Sequence, residues 1–302
     1  MKRLLTYSTD HEVLSSQQRG FTLTELIMVI VIMGIIGAVI TPLIGNKFSA
    51  VSQSTLRAGW VQQAEYAMFH IQRDLANSVP NSVYTSEPVS SADQVVEFLG
   101  IDPESEAYAA RYRDKQLSPF DRLQPNNDSS FDIFANIPNL TSVARYVSIG
   151  TQNASNMITD WQTNMASNSG TLAEIASTTN SAGGSETGGP LTTITLTANH
   201  NFGAHSPYFR AYFFNGPVAY QCDTANQVLN RVSGYTSLGT TNFSTRTAAG
   251  SVNRIIANLT ACEFEFFAGS AYLPPSLKVA FEIGDGTESI RLINTIVLSN
   301  GS

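Results

Sequence analysis

Three patterns of hydrophobic and polar positions follow one another along the first 80 residues. A polar start is followed by an apolar run from Leu26 to Ile44, and up to Ile40 this run contains no polar side chain. At 19 residues (44 − 26 + 1) it is close to the roughly 20 residues that span the hydrocarbon core of a bilayer. The run therefore predicts a transmembrane helix over residues 21–44.

After this run the pattern changes to that of an amphipathic helix. Apolar residues recur at intervals of three and four, which places them on one helical face: Val61, Ala64, Met68, Ile71 and Leu75. The polar residues, Asp74 among them, lie mostly on the other faces. Pro80 disfavours helix in the residue before it. We predict that the helix continues as an amphipathic segment over residues 45–78, with Pro42 as a position where it kinks.

Beyond Pro80 the pattern becomes typical of β-structure. Short apolar runs predict strands over residues 94–101, 143–149, 192–197, 208–214, 218–222, 254–267, 277–283 and 290–298. Asn215-Gly216-Pro217 and Asp285-Gly286 are hairpin signals. Residues 163–190 are rich in Ser, Thr, Asn, Gly and Ala, which predicts a flexible loop. We expect an α+β fold, in which the long N-terminal helix packs against an antiparallel β-sheet head over residues 79–302.

A short motif precedes the apolar run: Arg19 and then Gly20-Phe21-Thr22-Leu23-Thr24-Glu25-Leu26. It resembles the class III signal of type IV pilins and type II secretion pseudopilins. The resemblance implies that a prepilin peptidase cleaves between Gly20 and Phe21 and methylates the new amine of Phe21. Residues 1–20 are then the leader peptide.

Glu25 is the one carboxylate at the edge of the apolar run. An ionisable group is costly in lipid, which favours a functional role with a partner. The resemblance implies that the amine of Phe21, from the same or a neighbouring subunit, neutralises Glu25 during filament assembly. An apolar environment strengthens such a pair. The alternative is a polar side chain that reaches the lipid headgroups.

The distribution of charge predicts the orientation in the membrane. Lys2, Arg3 and Arg19 precede the span, whereas Lys47 alone follows it closely. The positive-inside rule then keeps the N-terminus cytoplasmic and places the head in the periplasm, anchored by one pass through the inner membrane. A cleaved secretory signal would require small residues after the run, where Phe48 stands. The net charge of −7 and the pI near 5.1 argue against a nucleic-acid partner.

Both cysteines, Cys222 and Cys262, lie far beyond the membrane segment. The oxidising periplasm favours a disulfide between them. Two unpaired buried thiols are the alternative.

The sequence predicts neither an enzyme nor a cofactor. It contains no Gly-x-Ser-x-Gly motif and no P-loop. His200 and His205 are five residues apart, which does not match a helical metal pair, and solvated or capping roles are expected. Calcium is an alternative for a set of oxygen-bearing side chains, although their spacing differs from an EF-hand and turn formation is expected: Asp121, Asn126, Asn127, Asp128 and Asp132.

Three segments of the amphipathic helix and the head add a second resemblance: Arg73-Asp74-Leu75, Pro217 to Cys222 and Ala261 to Phe264. They are similar to segments of J-type minor pseudopilins and of minor pilins of mannose-sensitive haemagglutinin (MSHA) pili. The resemblance implies a minor subunit of a type IV pilus that primes or caps the filament near its tip and supports surface attachment. Its partners would be other minor pilins, the major pilin, the inner-membrane assembly platform and membrane lipid.

Two other functions remain open. The first is a J-type subunit of a type II secretion system. The second is a membrane-anchored adhesin whose head binds a surface glycan through aromatic residues, although the spacing of these aromatics favours a buried strand: Tyr208, Phe209, Tyr212, Phe213 and Phe214.

Overall fold

The computed structural model describes residues 20–86, 93–101, 109–113, 120–135, 145–181, 191–239, 242–270 and 272–298. Residues 1–19 of the predicted leader lie outside the described residues. The chain forms two compact units, Met1–Leu56 and Arg57–Ser302.

The first unit contains the start of helix α1, Leu23–Ala76, which runs through the apolar segment. The apolar side chains described there are exposed. The helix continues through Pro42, whose missing N–H leaves the carbonyl of Ala38 without its usual helical partner. Next to this position Thr41 Oγ1 donates to the carbonyl of Gly37 at 2.7 Å. A kink at Pro42 stays a prediction.

The second unit contains the rest of α1 and, among the described residues, two short α-helices, a π-helix (Asp160–Asn164), a 3-10 helix (Met165–Ser167) and fourteen strands. The short α-helices are α2 (Ala154–Thr159) and α3 (Phe243–Arg246). The strands are β1 (Tyr84–Ser86), β2 (Asp93–Gly100), β3 (Ala109–Arg111), β4 (Asp128–Ile133), β5 (Tyr146–Ser148), β6 (Leu172–Ser181), β7 (Leu191–His200), β8 (Arg210–Phe214), β9 (Gly216–Asp223), β10 (Val228–Ser233), β11 (Ser251–Ala257), β12 (Leu259–Phe267), β13 (Ser276–Gly284) and β14 (Ser289–Val297).

These strands form three antiparallel sheets rather than one. Their orders are β1-β2-β9-β10-β11, β12-β13-β14 and β3-β8-β5-β6-β7-β4. The predicted α+β class with an antiparallel head is confirmed.

The apolar stripe of α1 packs into the core shared by the five-stranded and three-stranded sheets. Ala64, Ala67 and Ile71 are fully buried there, and Met68 and Leu75 are nearly so. The small side chains of the two alanines allow the sheets to approach the helix backbone. The predicted amphipathic face is therefore the face that packs on the head.

One of the two hairpin predictions is wrong. β8 belongs to the six-stranded sheet and β9 to the five-stranded sheet, so Asn215-Gly216-Pro217 carries the chain from one sheet to another. Gly216 has a φ of +147°, which a side chain rarely adopts, and this explains the glycine without a hairpin.

The other hairpin prediction is confirmed. β13 pairs with β14, and in the turn Asp285 N donates to Glu288 O at 3.1 Å while Gly286 has a φ of +88°. Glu288 also accepts two hydrogen bonds from Arg57 of α1, at 2.9 Å and 2.7 Å.

The predicted flexible loop at 163–190 is wrong for residues 172–181, which form β6. The buried residues Leu172, Ala173 and Ile175 anchor this strand between β5 and β7, and its polar end follows in register with β7. Residues 182–190 lie outside the described residues. The predicted strand 254–267 is divided as well, because Asn258 has a φ of +59° and separates β11 from β12.

The predicted disulfide between Cys222 and Cys262 is present, with their Cα atoms 6.3 Å apart. It links β9 of the five-stranded sheet to β12 of the three-stranded sheet. Gln94 of β2 adds a hydrogen bond between the same sheets, because its Oε1 accepts from Phe264 N at 2.6 Å. The two sheets that cover α1 are thus cross-linked to each other.

A buried carboxylate, Glu97 of β2, is saturated with hydrogen bonds. Its side chain is 0% exposed and forms an ion pair with Arg246 of α3. Tyr235 donates to it at 2.7 Å, and Tyr84 donates to it as well. Because burial and the neighbouring Glu97 charge disfavour the phenolates, the pKa values of both tyrosines are raised and both stay donors.

Asp74 was predicted to lie with the polar residues of α1, and this is wrong. It is buried, and its Oδ2 accepts from Arg231 Nε at 2.6 Å and from the Tyr220 hydroxyl at 2.8 Å. The partners come from β10 and β9, far away in sequence, and they supply the charge and the hydrogen bond that burial of a carboxylate requires.

His200 was predicted to be solvated or to cap a turn, and its solvated role is wrong. It is 3% exposed, and its Nε2 donates to the carbonyl of Gly170 at 2.9 Å. Burial lowers the pKa of His200 from the ordinary 6.5, against the opposing effects of this hydrogen bond and of Asp160.

Reduction of the disulfide is expected to lower the free energy of unfolding of the head. The bridge closes 40 residues of chain, which corresponds to about 4 kcal/mol in the chain-entropy account. Urea unfolding of the full chain in detergent, followed by the fluorescence of Trp60 and Trp161, measures the change. A double variant, Cys222→Ser with Cys262→Ser, should not respond to reductant. An equal urea midpoint with and without reductant in the wild type would contradict the prediction.

Arg246→Met is expected to destabilise the head by about 3–5 kcal/mol, because the Glu97 charge then stays buried without an opposite charge, although the hydroxyls of Tyr84 and Tyr235 still donate to it. The matched control is Arg145→Met, which removes the exposed pair with Glu174 and should cost at most about 1 kcal/mol. The same urea titration compares the two variants, and equal losses would show that burial of Glu97 does not matter.

The stability of the head is expected to fall as the pH drops below about 6.5. The unfolded chain binds a proton at His200 there, whereas the folded chain with its lowered pKa resists it, so stability is lost with acid. His200→Gln should reduce this slope in thermal unfolding between pH 5 and pH 7, and the exposed neighbour change Asn199→Gln should not. An unchanged slope in His200→Gln would refute the assignment.

Candidate functional site

The segment with the motif begins outside regular secondary structure and then enters α1. Gly20, Phe21 and Thr22 precede the first helical residue, Leu23, and the side chain of Phe21 is 85% exposed. The peptide bond between Gly20 and Phe21 is therefore outside the helix and accessible. Exposed segments of this kind are the preferred substrates of peptidases.

Thr22 and Glu25 cap the first turn of α1 reciprocally. Glu25 Oε2 accepts from the backbone N–H and from the hydroxyl of Thr22, both at 3.0 Å, while Glu25 N donates to Thr22 Oγ1 at 3.3 Å. This is a capping box, in which two backbone donors of the helix start are satisfied by side chains. No prediction from the sequence included this capping box, although Thr-x-x-Glu before an apolar run is its signature.

The cap places Glu25 beside the position of the expected new N-terminus. Thr22, its partner, directly follows Phe21 in the chain. A carboxylate has about four lone-pair positions, so Glu25 can keep the hydrogen bonds of Thr22 and still accept from an amine. Its docking role, like the cleavage and methylation at Gly20 and Phe21, stays a prediction.

Asp128 and Asp132, two of the residues considered as calcium ligands, accept hydrogen bonds from other groups of the protein. The described residues contain no group of three or more His, Cys, Asp or Glu side chains that could hold a metal ion. Asp128 accepts from the backbone N–H groups of Gln124 and Ser130, which supports the predicted role in a turn. Asp132 is buried and bonds to Thr193 Oγ1 at 2.6 Å and to the N–H of Asp121 at 2.8 Å.

The aromatic residues around β8 are divided between the core and the surface. Phe213 and Phe214 are buried, as expected of a buried strand, whereas Tyr208 is 57% exposed. Tyr208 and Tyr212 line a cleft of about 540 Å³ together with Arg210. Arg210 was not among the predicted binding residues, although residues 210 and 212 alternate with the buried residues 211 and 213 as the two faces of a strand do.

One helix of the described residues, α1, is long and apolar enough to span a membrane. The sequence profile of the prokaryotic N-terminal methylation motif matches residues 15–41, which include Gly20, Phe21 and Glu25. No curated protein and no solved structure matches the chain.

The matched motif supports a type IV pilin-like or pseudopilin subunit, consistent with the α+β layout of helix and antiparallel sheets. It implies processing by prepilin peptidase and assembly with other pilins. Together with the apolar start of α1, it indicates a single-pass, membrane-anchored protein.

Proposed function

We propose that the chain is a minor subunit of an MSHA-type type IV pilus. It is processed by prepilin peptidase, primes or caps the filament, and supports pilus biogenesis and surface attachment without being an enzyme itself. The observation that carries the proposal is the methylation motif at the start of an apolar helix whose amphipathic end is buried in a β-sheet head.

Assembly rests on two properties of the first helical turns. The apolar run, Leu26 to Ile44, exchanges lipid for the helices of neighbouring subunits as the chain leaves the membrane. The Glu25 carboxylate meets the amine of Phe21 in the same apolar surroundings, where an unpaired charge is costly. A neighbouring subunit whose Phe21 amine pairs with Glu25 is thereby selected for assembly.

The role at the tip is supported by the size of the head. Three sheets and fourteen strands are present among the described residues, which gives the head large side faces for contacts with other minor subunits and with the major pilin. Before assembly, the N-terminus is cytoplasmic and the head is periplasmic, anchored in the inner membrane beside the assembly platform.

In this head, the segments that resemble MSHA minor pilins and J-type pseudopilins contribute residues to contacts that stabilise the fold. Asp74 binds Arg231 and Tyr220, and Cys222 and Cys262 form the bridge between two sheets. These contacts explain why such segments would be shared by heads of one architecture. A J-type subunit of a type II secretion system therefore remains the second candidate.

Gly20→Ala is expected to abolish processing, because the peptidase would meet a side chain at the cleavage position. Intact mass and N-terminal sequencing of the protein from its native membranes should give a wild-type chain that begins at N-methyl-Phe21. The Gly20→Ala chain should keep its leader. A wild-type chain that is uncut, or that begins near Val51, would refute the pilin-like assignment.

Glu25 can be tested separately for its charge and for its cap. Glu25→Gln keeps a capping-box acceptor but removes the charge, whereas Glu25→Ala removes both. Both variants should be cleaved and yet be missing from sheared filaments, and Glu65→Ala, which changes an exposed carboxylate of the same helix, should assemble normally. If Glu25→Gln assembles like the wild type, docking by the charge is wrong.

A further inference from the structure

A preformed cleft of about 540 Å³ lies on the head at the C-terminal end of α1. Its walls come from the turn after the helix (Pro80 and Asn81), the segment 148–152 after β5, and the segment 202–212 that leads into β8. This volume is within the roughly 300–1,000 Å³ of small-molecule sites. The cleft is formed by three stretches of chain that are distant in sequence, so it is a property of the folded head.

Hydrogen bonds hold the walls in place. Asn81 Nδ2 donates to Thr151 O at 2.9 Å and ties the turn after α1 to the segment after β5. In the segment 202–212, Ser206 N donates to the Tyr112 hydroxyl at 2.8 Å, and Arg210 N donates to Ser206 Oγ at 2.7 Å. A ligand would therefore meet a wall that is already ordered, which lowers the entropic cost of binding.

The backbone at Phe209 is strained beside this cleft. Phe209 has a φ of +54°, an outlier for a bulky residue. Its ring packs inward, 5.8 Å from the ring of Tyr112 and 5.4 Å from that of His205, while its neighbours Tyr208 and Arg210 line the cleft. Strain of this kind persists where the surrounding structure fixes it, and it is common at binding sites.

The charge of the cleft is opposite to that of the chain. The chain has a net charge of −7, yet the described residues that line the cleft include no Asp or Glu, and they include Arg210 and His205. Arg210 is exposed and forms no ion pair with any described residue. A guanidinium in this situation favours a carboxylate, which it can bind with two parallel hydrogen bonds.

The remaining side chains suit a sugar ring. The exposed ring of Tyr208 offers an apolar face, and the Arg210 guanidinium lies 6.0 Å from its centre. Asn81 and Gln152 add amide groups to the lining of the cleft, which can donate to and accept from hydroxyls. A ring with one apolar face, several hydroxyls and a carboxylate matches these groups together.

We infer that this cleft binds a short saccharide that carries a carboxylate, with Arg210 on the carboxylate and Tyr208 under the sugar ring. The inference goes beyond the proposed role in filament assembly, because it concerns the head alone and uses no residue of the methylation motif.

The test is a binding titration of the full chain in detergent micelles. Sialyllactose and digalacturonate are the acidic probes, and lactose is the neutral probe that differs from sialyllactose by the acidic sugar. At least one acidic probe should bind at least tenfold more tightly than lactose. Arg210→Gln should weaken this binding at least tenfold, Tyr208→Ala should weaken it similarly, and Tyr208→Phe, which keeps the ring, should retain it.

Matched controls separate the cleft from the rest of the surface. Arg254→Gln and Tyr272→Ala remove an exposed arginine and an exposed tyrosine outside the cleft, and they should leave the affinity unchanged. The urea midpoint of each variant checks that its head is folded. The inference is overturned if neither acidic probe binds more tightly than lactose, or if Arg210→Gln binds like the wild type. It is also overturned if a tripeptide with a free carboxylate binds more tightly than both acidic saccharides.

Discussion

Burial of one face of α1 is the constraint on which the head depends. The stripe from Trp60 to Leu75 is the apolar face that the sheets cover, whereas most of the other side chains of the helix at this level are polar. Fully burying each large side chain contributes about 1.5–3 kcal/mol, which is available only while the five-stranded and three-stranded sheets stay against the helix. The disulfide, the Gln94 hydrogen bond and the pair of Asp74 with Arg231 all fix one of these sheets to the other or to α1.

Periodicity in the sequence predicted those parts of the fold that depend on local pattern. The stripe of α1 could be predicted from the spacing of its apolar residues, and the hairpin at Asp285-Gly286 from its turn-forming residues. The disulfide could be predicted because an oxidising compartment was expected for both cysteines. The pairing of strands could not, because Asn215-Gly216-Pro217 is compatible both with a hairpin and with a crossing between sheets. The burial of Asp74 and His200 depends on partners that are distant in sequence, Arg231 and the Gly170 carbonyl, so a local polarity pattern misplaces both.

The two candidate sites, the N-terminal motif and the cleft, also differ in how far a local sequence pattern predicts them. The N-terminal motif is contiguous, so Gly20, Phe21 and Glu25 were identifiable from their register with the apolar run. The cleft is assembled from residues near 80, 150 and 208. Alternation within 208–214 separates its lining residues from the core residues, but only the folded head brings Asn81 and Gln152 to the same cleft. The short motif thus indicates a broad class of proteins, and the properties specific to this chain are found in its head.

The capping box at the start of α1 bears on how maturation and folding are related. Both of its members, Thr22 and Glu25, lie after the bond between Gly20 and Phe21. A cut at that bond therefore leaves the first turn with the same two hydrogen-bonding side chains that it had in the precursor. A chain cut there would keep the same helix start, because neither hydrogen-bonding partner of the cap would be removed with the residues before Phe21.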